Sequence, residues 1–135
     1  MANRLLAPAL ALSLALALWT TACETTRLRD TETLEEAIRT YAVTEETKAF
    51  AIAADESGKR AWDSKHGKFI SEEAAIEGTL QACNDNARAR GIQADCYLFA
   101  VGDRQPRSTL EKCQSGQINK KRCKVQQDYS PLLTP

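Results

Sequence analysis

The sequence predicts an α+β fold: a small sheet, made of a hairpin plus one buried strand, packs against one long helix. An additional N-terminal helix and a disulfide-stapled C-terminal segment complete it. Three observations lead to this prediction. Apolar residues recur at helical spacing in two segments, they alternate or run together in three short segments between turn residues, and five cysteines occur in 135 residues. A chain of this length is typical of one domain.

The charge balance argues against one class of protein. Lys and Arg number 18, as do Asp and Glu, so the formal net charge is zero. Nucleic-acid-binding domains are usually basic, and we therefore expect no nucleic-acid partner. The charged fraction of 27 % and the mean hydropathy of −0.41 are typical of a globular domain in water rather than of a bundle of membrane helices.

The first 22 residues have the pattern of an export signal. Arg4 supplies a positive charge, residues 5–19 form an apolar run, and the small residues 20–22 stand directly before Cys23. This pattern resembles the lipobox of bacterial lipoproteins, in which a diacylglyceryl group is added to the cysteine thiol and cleavage makes that cysteine the first residue. The resemblance implies a lipid-anchored protein of the cell envelope that faces the periplasm.

Two other interpretations of this segment remain open. Residues 5–22 nearly reach the ~18–20 apolar residues that span a bilayer, so the segment could stay as an uncleaved anchor. Alternatively, the chain is secreted after cleavage behind Ala22. The number of cysteines favours the lipoprotein, because acylation of Cys23 leaves an even number for an oxidising compartment. By the sorting rule of enteric bacteria, Glu24 after the cysteine favours the outer over the inner membrane.

Beyond the signal peptide, 1–22, the chain divides into three parts. Residues 23–32 hold the lipidated cysteine and a polar, flexible tether. Residues 33–128 form the α+β domain. Residues 129–135, which contain two prolines, are expected to form a C-terminal tail along the surface.

The first helix is predicted to begin after Thr33, which forms a capping box with Glu36. Its apolar stripe consists of Leu34, Ala37, Ile38 and Tyr41. A hairpin follows, with strands at 48–54 and 60–66 around the turn residues 55–59. In the first strand Phe50 and Ile52 share one face, and the opposite face holds only alanines, which would let a helix approach closely.

Residues 71–90 form the longest predicted helix, with Ser71 as N-cap and Gly91 as its stop. Its buried stripe is predicted to be Ile76, Leu80, Cys83 and Ala87. The apolar run at 94–103 follows as a buried strand. Strict alternation places Cys96, Leu98 and Ala100 on one face of this strand. The other face holds Tyr97, Phe99 and Val101, and the first helix is expected to cover it.

Geometry favours one pairing of the four remaining cysteines. Cys83 lies about 12 Å before Gly91 along the helix, and Cys96 lies about 16 Å after it along the strand. A helix that folds back on the strand brings the two sulfurs together. By elimination Cys113 pairs with Cys123, although four cysteines allow three connectivities.

The C-terminal segment is predicted to contain a short helix, opened by a capping box of Ser108 and Glu111 and broken at residues 115–116. Around the second disulfide lie five basic residues, which we call the basic patch: Lys112, Lys120, Lys121, Arg122 and Lys124. They could contact an envelope protein or an anionic cell-wall or lipid component. Alternatively, they only keep a loop solvated.

The residues predict no catalytic site, no metal site and no cofactor. His66, the single histidine, could act as a general base oriented by Asp63. However, successive residues of a strand point to opposite faces, and two residues three positions apart therefore lie on opposite faces. The cysteines lack the C-x2-C spacing of zinc sites, and no glycine-rich phosphate loop is present.

The order helix, hairpin, helix and strand, with one cysteine in the helix and another at the strand, resembles small secreted bacterial domains of unknown function. The similar pattern, KAFAIA…G…AW…HG…SEEAA…L..C…C.L.AVGD, covers residues 48–103. The resemblance implies an α+β fold and a periplasmic setting, with no established activity. We therefore expect a non-enzymatic interaction or structural module. The alternative is an envelope enzyme or enzyme inhibitor that uses the His66 and Asp63 region or the basic loop 112–124.

Overall fold

The computed structural model describes residues 32–133. The expected signal peptide, Cys23, most of the tether and residues 134–135 lie outside the described residues. Within that range the fold is α+β, as the sequence predicts. The elements in chain order are α1 (Leu34–Ala42), β1 (Thr47–Ala54), β2 (Arg60–Gly67), α2 (Glu72–Ala89), β3 (Tyr97–Val101), α3 (Arg107–Gln114), α4 (Lys120–Tyr129) and a 3-10 helix (Ser130–Leu133).

The three strands form an antiparallel sheet in the order β2-β1-β3. The hairpin pairs Thr47 with Gly67 and Ile52 with Trp62 in continuous register. Because β1 is the central strand and helices cover both of its faces, its residues from Lys48 to Ala54 are all buried. The predicted hairpin and its two faces are confirmed.

One face of the sheet packs against α1, α4 and the 3-10 helix. Tyr41 of α1 meets Phe50 edge to face with ring centroids 5.4 Å apart, and Phe50 meets Phe99 in the same way at 5.8 Å. Edge-to-face pairs add to the stabilisation that burial of the rings provides. The predicted stripe of α1 is confirmed, and the capping box of Thr33 and Glu36 is present.

Lys48 fixes the C-terminal end of α1. Its side chain is buried, and Nζ donates to the carbonyl oxygens of Tyr41, Ala42 and Thr44 at 3.0, 3.2 and 2.6 Å. A positive charge at a helix C-terminus is favourable because the last carbonyl groups carry partial negative charge. The ammonium group also lies 2.7 Å from Oδ1 of Asp103. A single lysine therefore ties α1 to the sheet.

The alanine face of β1 (Ala49, Ala51 and Ala53) packs against α2, but the stripe of α2 that it contacts differs from the predicted one. Ile76 and Leu80 are only half-buried. Cys83 and Ala87 are buried as predicted, and Ala75 and Thr79 occupy the buried positions expected for Ile76 and Leu80, so the stripe has a spacing of four residues. A row of small side chains on the helix fits a sheet surface made of alanines, because both allow a short distance between the two layers.

A β-bulge in β3 overturns part of the predicted alternation. Ala51 pairs with Leu98 and Phe50 pairs with Ala100, so Phe99 is one extra residue between them. An inserted residue shifts the alternation of all that follow.

As a result, Ala100 and Val101 lie on faces opposite to those predicted. Ala100 joins Phe99 in the cluster beneath α1, whereas Val101 is paired with Ala49. The expectation that α1 covers one face of this strand is correct for Phe99 and wrong for Val101.

Two further predictions about the C-terminal segment are wrong. Helix α3 begins two residues earlier than expected, after Pro106, and Ser108 makes no capping hydrogen bond. The tail does not trail along the surface, since Ser130–Leu133 forms a 3-10 helix and Leu133 is only 6 % exposed. Leu133 packs in the same hydrophobic cluster as Leu34 and thereby covers part of the apolar stripe of α1.

Candidate functional site

Both predicted disulfides are present. Cys83–Cys96 joins α2 to the start of β3 and is buried between α2 and the alanine face of β1. Cys113–Cys123 joins α3 to α4, with Cα atoms 5.6 Å apart. The second disulfide is only half-buried, and it lies in a groove between the two helices.

This α3–α4 groove has a volume of about 610 Å³. Amide side chains, two lysines, one leucine and the disulfide line it. The lining residues are Gln105, Leu110, Cys113, Gln114, Lys120, Cys123, Lys124, Gln126, Gln127 and Ser130. Among these lining residues there is no carboxylate, so the groove combines positive charge with hydrogen-bonding groups.

Helix periodicity explains which side chains reach the groove. Lys120, Lys124 and Gln127 stand at positions i, i+4 and i+7 of α4, so they share one face of the helix. Asn119 sets the position of that helix. Its Oδ1 accepts a hydrogen bond from the Arg122 amide at 2.8 Å, and its Nδ2 donates to the carbonyl oxygen of Ala54 at 2.8 Å. The N-cap of α4 is thus bound to the end of β1.

Arg122 does not belong to the basic patch that the sequence predicts. Its side chain is 1 % exposed, because it lies on the face of α4 that packs against the sheet. Nε donates to the carbonyl oxygen of Ile52 at 2.9 Å, and Nη2 donates to that of Tyr97 at 3.1 Å. The residue is therefore a structural clamp between β1 and β3 and cannot contact a partner directly.

Arg122 and its neighbours satisfy the carbonyl groups around the bulge. Gln126 donates through Nε2 to the carbonyl oxygen of Phe99 at 2.9 Å, and Thr109 donates through Oγ1 to that of Leu98 at 3.0 Å. A bulge disrupts the regular ladder, and buried carbonyl groups need other donors. Helices α3 and α4 supply these donors to the bulged strand.

Burial lowers the pKa of Arg122 to about 10, so the guanidinium remains charged at neutral pH. No carboxylate lies within ion-pair distance of it in the part of the chain that the structure describes. Gln126 accepts a hydrogen bond of 2.9 Å from Nη1 and also lines the groove. An uncompensated positive charge therefore lies directly beneath the groove.

The lysines of the basic patch differ in their partners. Lys124 pairs with Asp128, with Nζ and Oδ2 2.8 Å apart. Lys112 places its ammonium group 5.5 Å from the centre of the Tyr97 ring, a favourable cation–π arrangement. Lys120 and Lys121 are exposed and make no hydrogen bond or ion pair within residues 32–133.

The second predicted region does not assemble into an acid–base pair. His66 pairs in register with Lys48, whereas Asp63 pairs with Ala51 on the other face of the sheet. The nearest acidic partner of His66 is Glu46, with Nδ1 and Oε2 3.5 Å apart, and both side chains are more than half exposed. Burial raises the pKa of the Asp63 carboxyl. The structure thus keeps the two groups apart.

The sequence did not identify the amide side chains of the groove, because α4 was not predicted as a helix. Its buried face consists of Arg122, Val125 and Gln126, and two of these three are polar. A search for apolar periodicity cannot detect such a helix. The available signal was Asn119, a favourable N-cap residue, followed by ten residues without Gly or Pro.

Within residues 32–133, no three His, Cys, Asp or Glu side chains are grouped to hold a metal ion. In the same range, no helix is long and apolar enough to cross a bilayer. Comparisons of the chain with protein-family models, curated proteins and solved structures found no match, so no function comes to it from a relative.

Proposed function

We propose that this protein is a lipid-anchored module of the bacterial cell envelope whose domain binds a partner without catalysing a reaction. The observation that carries the proposal is the use of the cysteines. Four of the five are paired within the domain, which leaves Cys23 as the one cysteine without a sulfur partner there. Cys23 stands directly after an apolar run and small residues, where lipoproteins carry their acylated cysteine.

The disulfides support a location outside the cytoplasm, because structural disulfides are rare in reducing compartments. The domain faces the periplasm in this proposal, and Glu24 favours the outer membrane. Two or three acyl chains on one cysteine give lasting attachment, whereas a single chain binds only marginally.

A binding role is favoured by the chemistry of the α3–α4 groove. Its polar groups are amides, ammonium groups and one hydroxyl, which bind ligands rather than exchange protons near neutral pH. The second candidate is an inhibitor that contacts an envelope enzyme through this groove, because residues of the basic loop 112–124 line much of the groove.

The test of anchoring is Cys23→Ser in the full chain, expressed in a bacterium that processes lipoproteins. We expect the wild-type protein to incorporate labelled palmitate and to lose residues 1–22, and the variant to do neither, because cleavage follows acylation. Thr26→Ser, a matched change in the tether, should leave both unchanged. Intact mass before and after reduction should show acyl chains at Cys23 and a gain of four hydrogens from two disulfides.

Two results would contradict the proposal. If the wild-type chain incorporates no palmitate and sediments with membranes at its unprocessed mass, the segment is an uncleaved anchor. If the wild-type chain carries no acyl mass and begins at Cys23, it is an ordinary secreted protein.

A further inference from the structure

We propose that the α3–α4 groove binds an acidic peptide segment of a partner protein. The inference rests on the proposed binding role and names the class of partner, but it does not depend on how the protein is anchored. Three properties of the groove support it: its charge, its free amide groups and its apolar wall.

The charge of the groove selects an anionic ligand. Lys120 and Lys124 lie one turn apart on α4, so their side chains start about 6 Å from each other. The buried guanidinium of Arg122 adds a third positive charge behind Gln126. Of the acids in the described residues, only Asp128 contacts these groups; it pairs with Lys124 and is not itself a lining residue. A ligand carboxylate would compete with Asp128 for Lys124.

Free amide groups favour a ligand with its own peptide groups. Gln114 and Gln127 line the groove, and the side-chain amide of neither has a hydrogen-bond partner in the described part of the chain. Gln105 donates through Nε2 to the carbonyl oxygen of Gln126 at 3.3 Å, which leaves its own side-chain oxygen as an acceptor. A side-chain amide both donates and accepts, and it can therefore pair with the N–H and C=O of an extended peptide.

The apolar wall distinguishes a peptide from other anions. Leu110 is 37 % exposed and lines the groove beside the Cys113–Cys123 disulfide. An apolar side chain of a peptide can cover this wall. No aromatic ring, which would favour the flat face of a sugar, lies among the lining residues. The lining therefore fits acidic and apolar side chains on one backbone.

The probe is the capped peptide acetyl-Ala-Glu-Leu-Glu-Ala-amide, titrated into the oxidised, isotope-labelled full chain in nonionic detergent and followed by NMR. We expect shifts at the backbone amides of α3 and α4. The same peptide with Gln in place of Glu should bind about tenfold more weakly, and the version with Lys should not bind.

Variants assign the binding to the groove. Lys120→Gln combined with Lys124→Gln should weaken the affinity about tenfold, because two charge contacts are lost. Lys121→Gln removes one positive charge from the first turn of α4, but Lys121 does not line the groove, so the affinity should change less than twofold. Asp128→Asn should tighten binding severalfold, because it frees Lys124.

Three results would overturn the proposal: equal affinity for the Glu and Gln peptides, an equal loss in Lys121→Gln and the double variant, or groove shifts with trigalacturonate but not with the peptide. Spectra of the unliganded variants verify that each one folds, and the expected gain in Asp128→Asn does not depend on any loss of structure. Cys23→Ser should bind the peptide normally, so failure of the anchor and failure of the groove are separate outcomes.

Discussion

Nη1 of Arg122 donates a hydrogen bond of 2.9 Å to Oε1 of Gln126, and both residues are buried. Gln126 in turn donates to the carbonyl oxygen of Phe99. These two polar side chains of α4 therefore serve as the contact between the helix and the bulged edge strand. In most helices, apolar side chains have that role.

Arg122→Met is expected to lower the free energy of unfolding by about 3–5 kcal/mol. The substitution removes the hydrogen bonds of the guanidinium to the carbonyl groups of Ile52 and Tyr97 and to the oxygen of Gln126, and the loss of buried hydrogen bonds is costly. Lys121→Met on the exposed side of the helix should change it by less than about 0.5 kcal/mol. Urea unfolding followed by circular dichroism measures both. Equal effects would mean that the buried guanidinium is not a clamp.

Lys48→Met is expected to destabilise the domain by about 2–3 kcal/mol, since three carbonyl groups at the end of α1 lose their buried donor. The matched variant is Lys65→Met on β2, where the side chain is exposed. It should have little effect. Hydrogen exchange should also show faster exchange in α1 of Lys48→Met than in α2. If hydrogen exchange were accelerated equally in all elements of the domain, a local role of Lys48 at α1 would be contradicted.

Ala53→Leu is expected to lower the free energy of unfolding by about 1–3 kcal/mol. The alanine face of β1 has no room for a larger side chain beneath α2. Ala89→Leu adds the same atoms at an exposed position of α2 and should be nearly neutral. Thermal unfolding distinguishes the two. A neutral Ala53→Leu would show that the helix can move away from the sheet at little cost.

The two disulfides should differ in their reduction. Cys113–Cys123 is half-buried at the groove, whereas Cys83 is 0 % and Cys96 is 6 % exposed. Thiolate attack requires access to sulfur, so dithiothreitol under native conditions should reduce Cys113–Cys123 first. Alkylation and peptide mass mapping give the order. Simultaneous reduction would mean that global unfolding controls both.

Loss of the half-buried Cys113–Cys123 disulfide should also lower the free energy of unfolding. The double variant Cys113→Ser with Cys123→Ser removes a loop constraint with a sequence separation of 10. The chain-entropy model assigns about 3 kcal/mol to a loop of this size. The free energy of unfolding, determined with urea, tests this value, and an unchanged value would show that α3 and α4 are held together by packing alone.

Asp55 and Asp63 in the hairpin should respond to pH with opposite signs. The Ser57 hydroxyl lowers the pKa of Asp55, so its charged form adds stability that is lost as the pH falls below about 4. Burial raises the pKa of Asp63, and stability therefore falls as the pH rises through the interval above its ordinary value.

Asp55→Asn should consequently be less stable than the wild type at pH 7, and Asp63→Asn should be more stable. Both differences should shrink from pH 7 to pH 3, because Asp63 becomes protonated and part of the stabilisation from charged Asp55 is lost. Urea unfolding at the two pH values tests the signs. A pair of variants that shift in the same direction at pH 7 would contradict this assignment.

Local signals explain what the sequence could predict. The capping box at Thr33, the alternation in β1 and the N-cap at Ser71 each depend on residues within one turn or strand, and the structure confirms all of them. The Cys83–Cys96 pairing was also predictable, because the lengths of a helix and a strand are fixed per residue.

Features that depend on distant partners could not be predicted. Nothing in the residues around Phe99 marks the bulge, which is stabilised by donors from α3 and α4. Which residues of α2 are buried depends on the alanine face of β1, against which the helix packs. The groove depends on α4, and the buried Arg122 and Gln126 conceal that helix from any search for apolar spacing.

The positions of the cross-links have a mechanical consequence. Both disulfides close loops within residues 83–123, and the sequence has no cysteine between residues 32 and 82. A pulling force applied through the tether would thus reach α1 and β1 before any covalent restraint. Resistance to stretching would come from the hydrogen bonds of β1 with β2 and β3, and the stapled C-terminal half would stay folded longest under load.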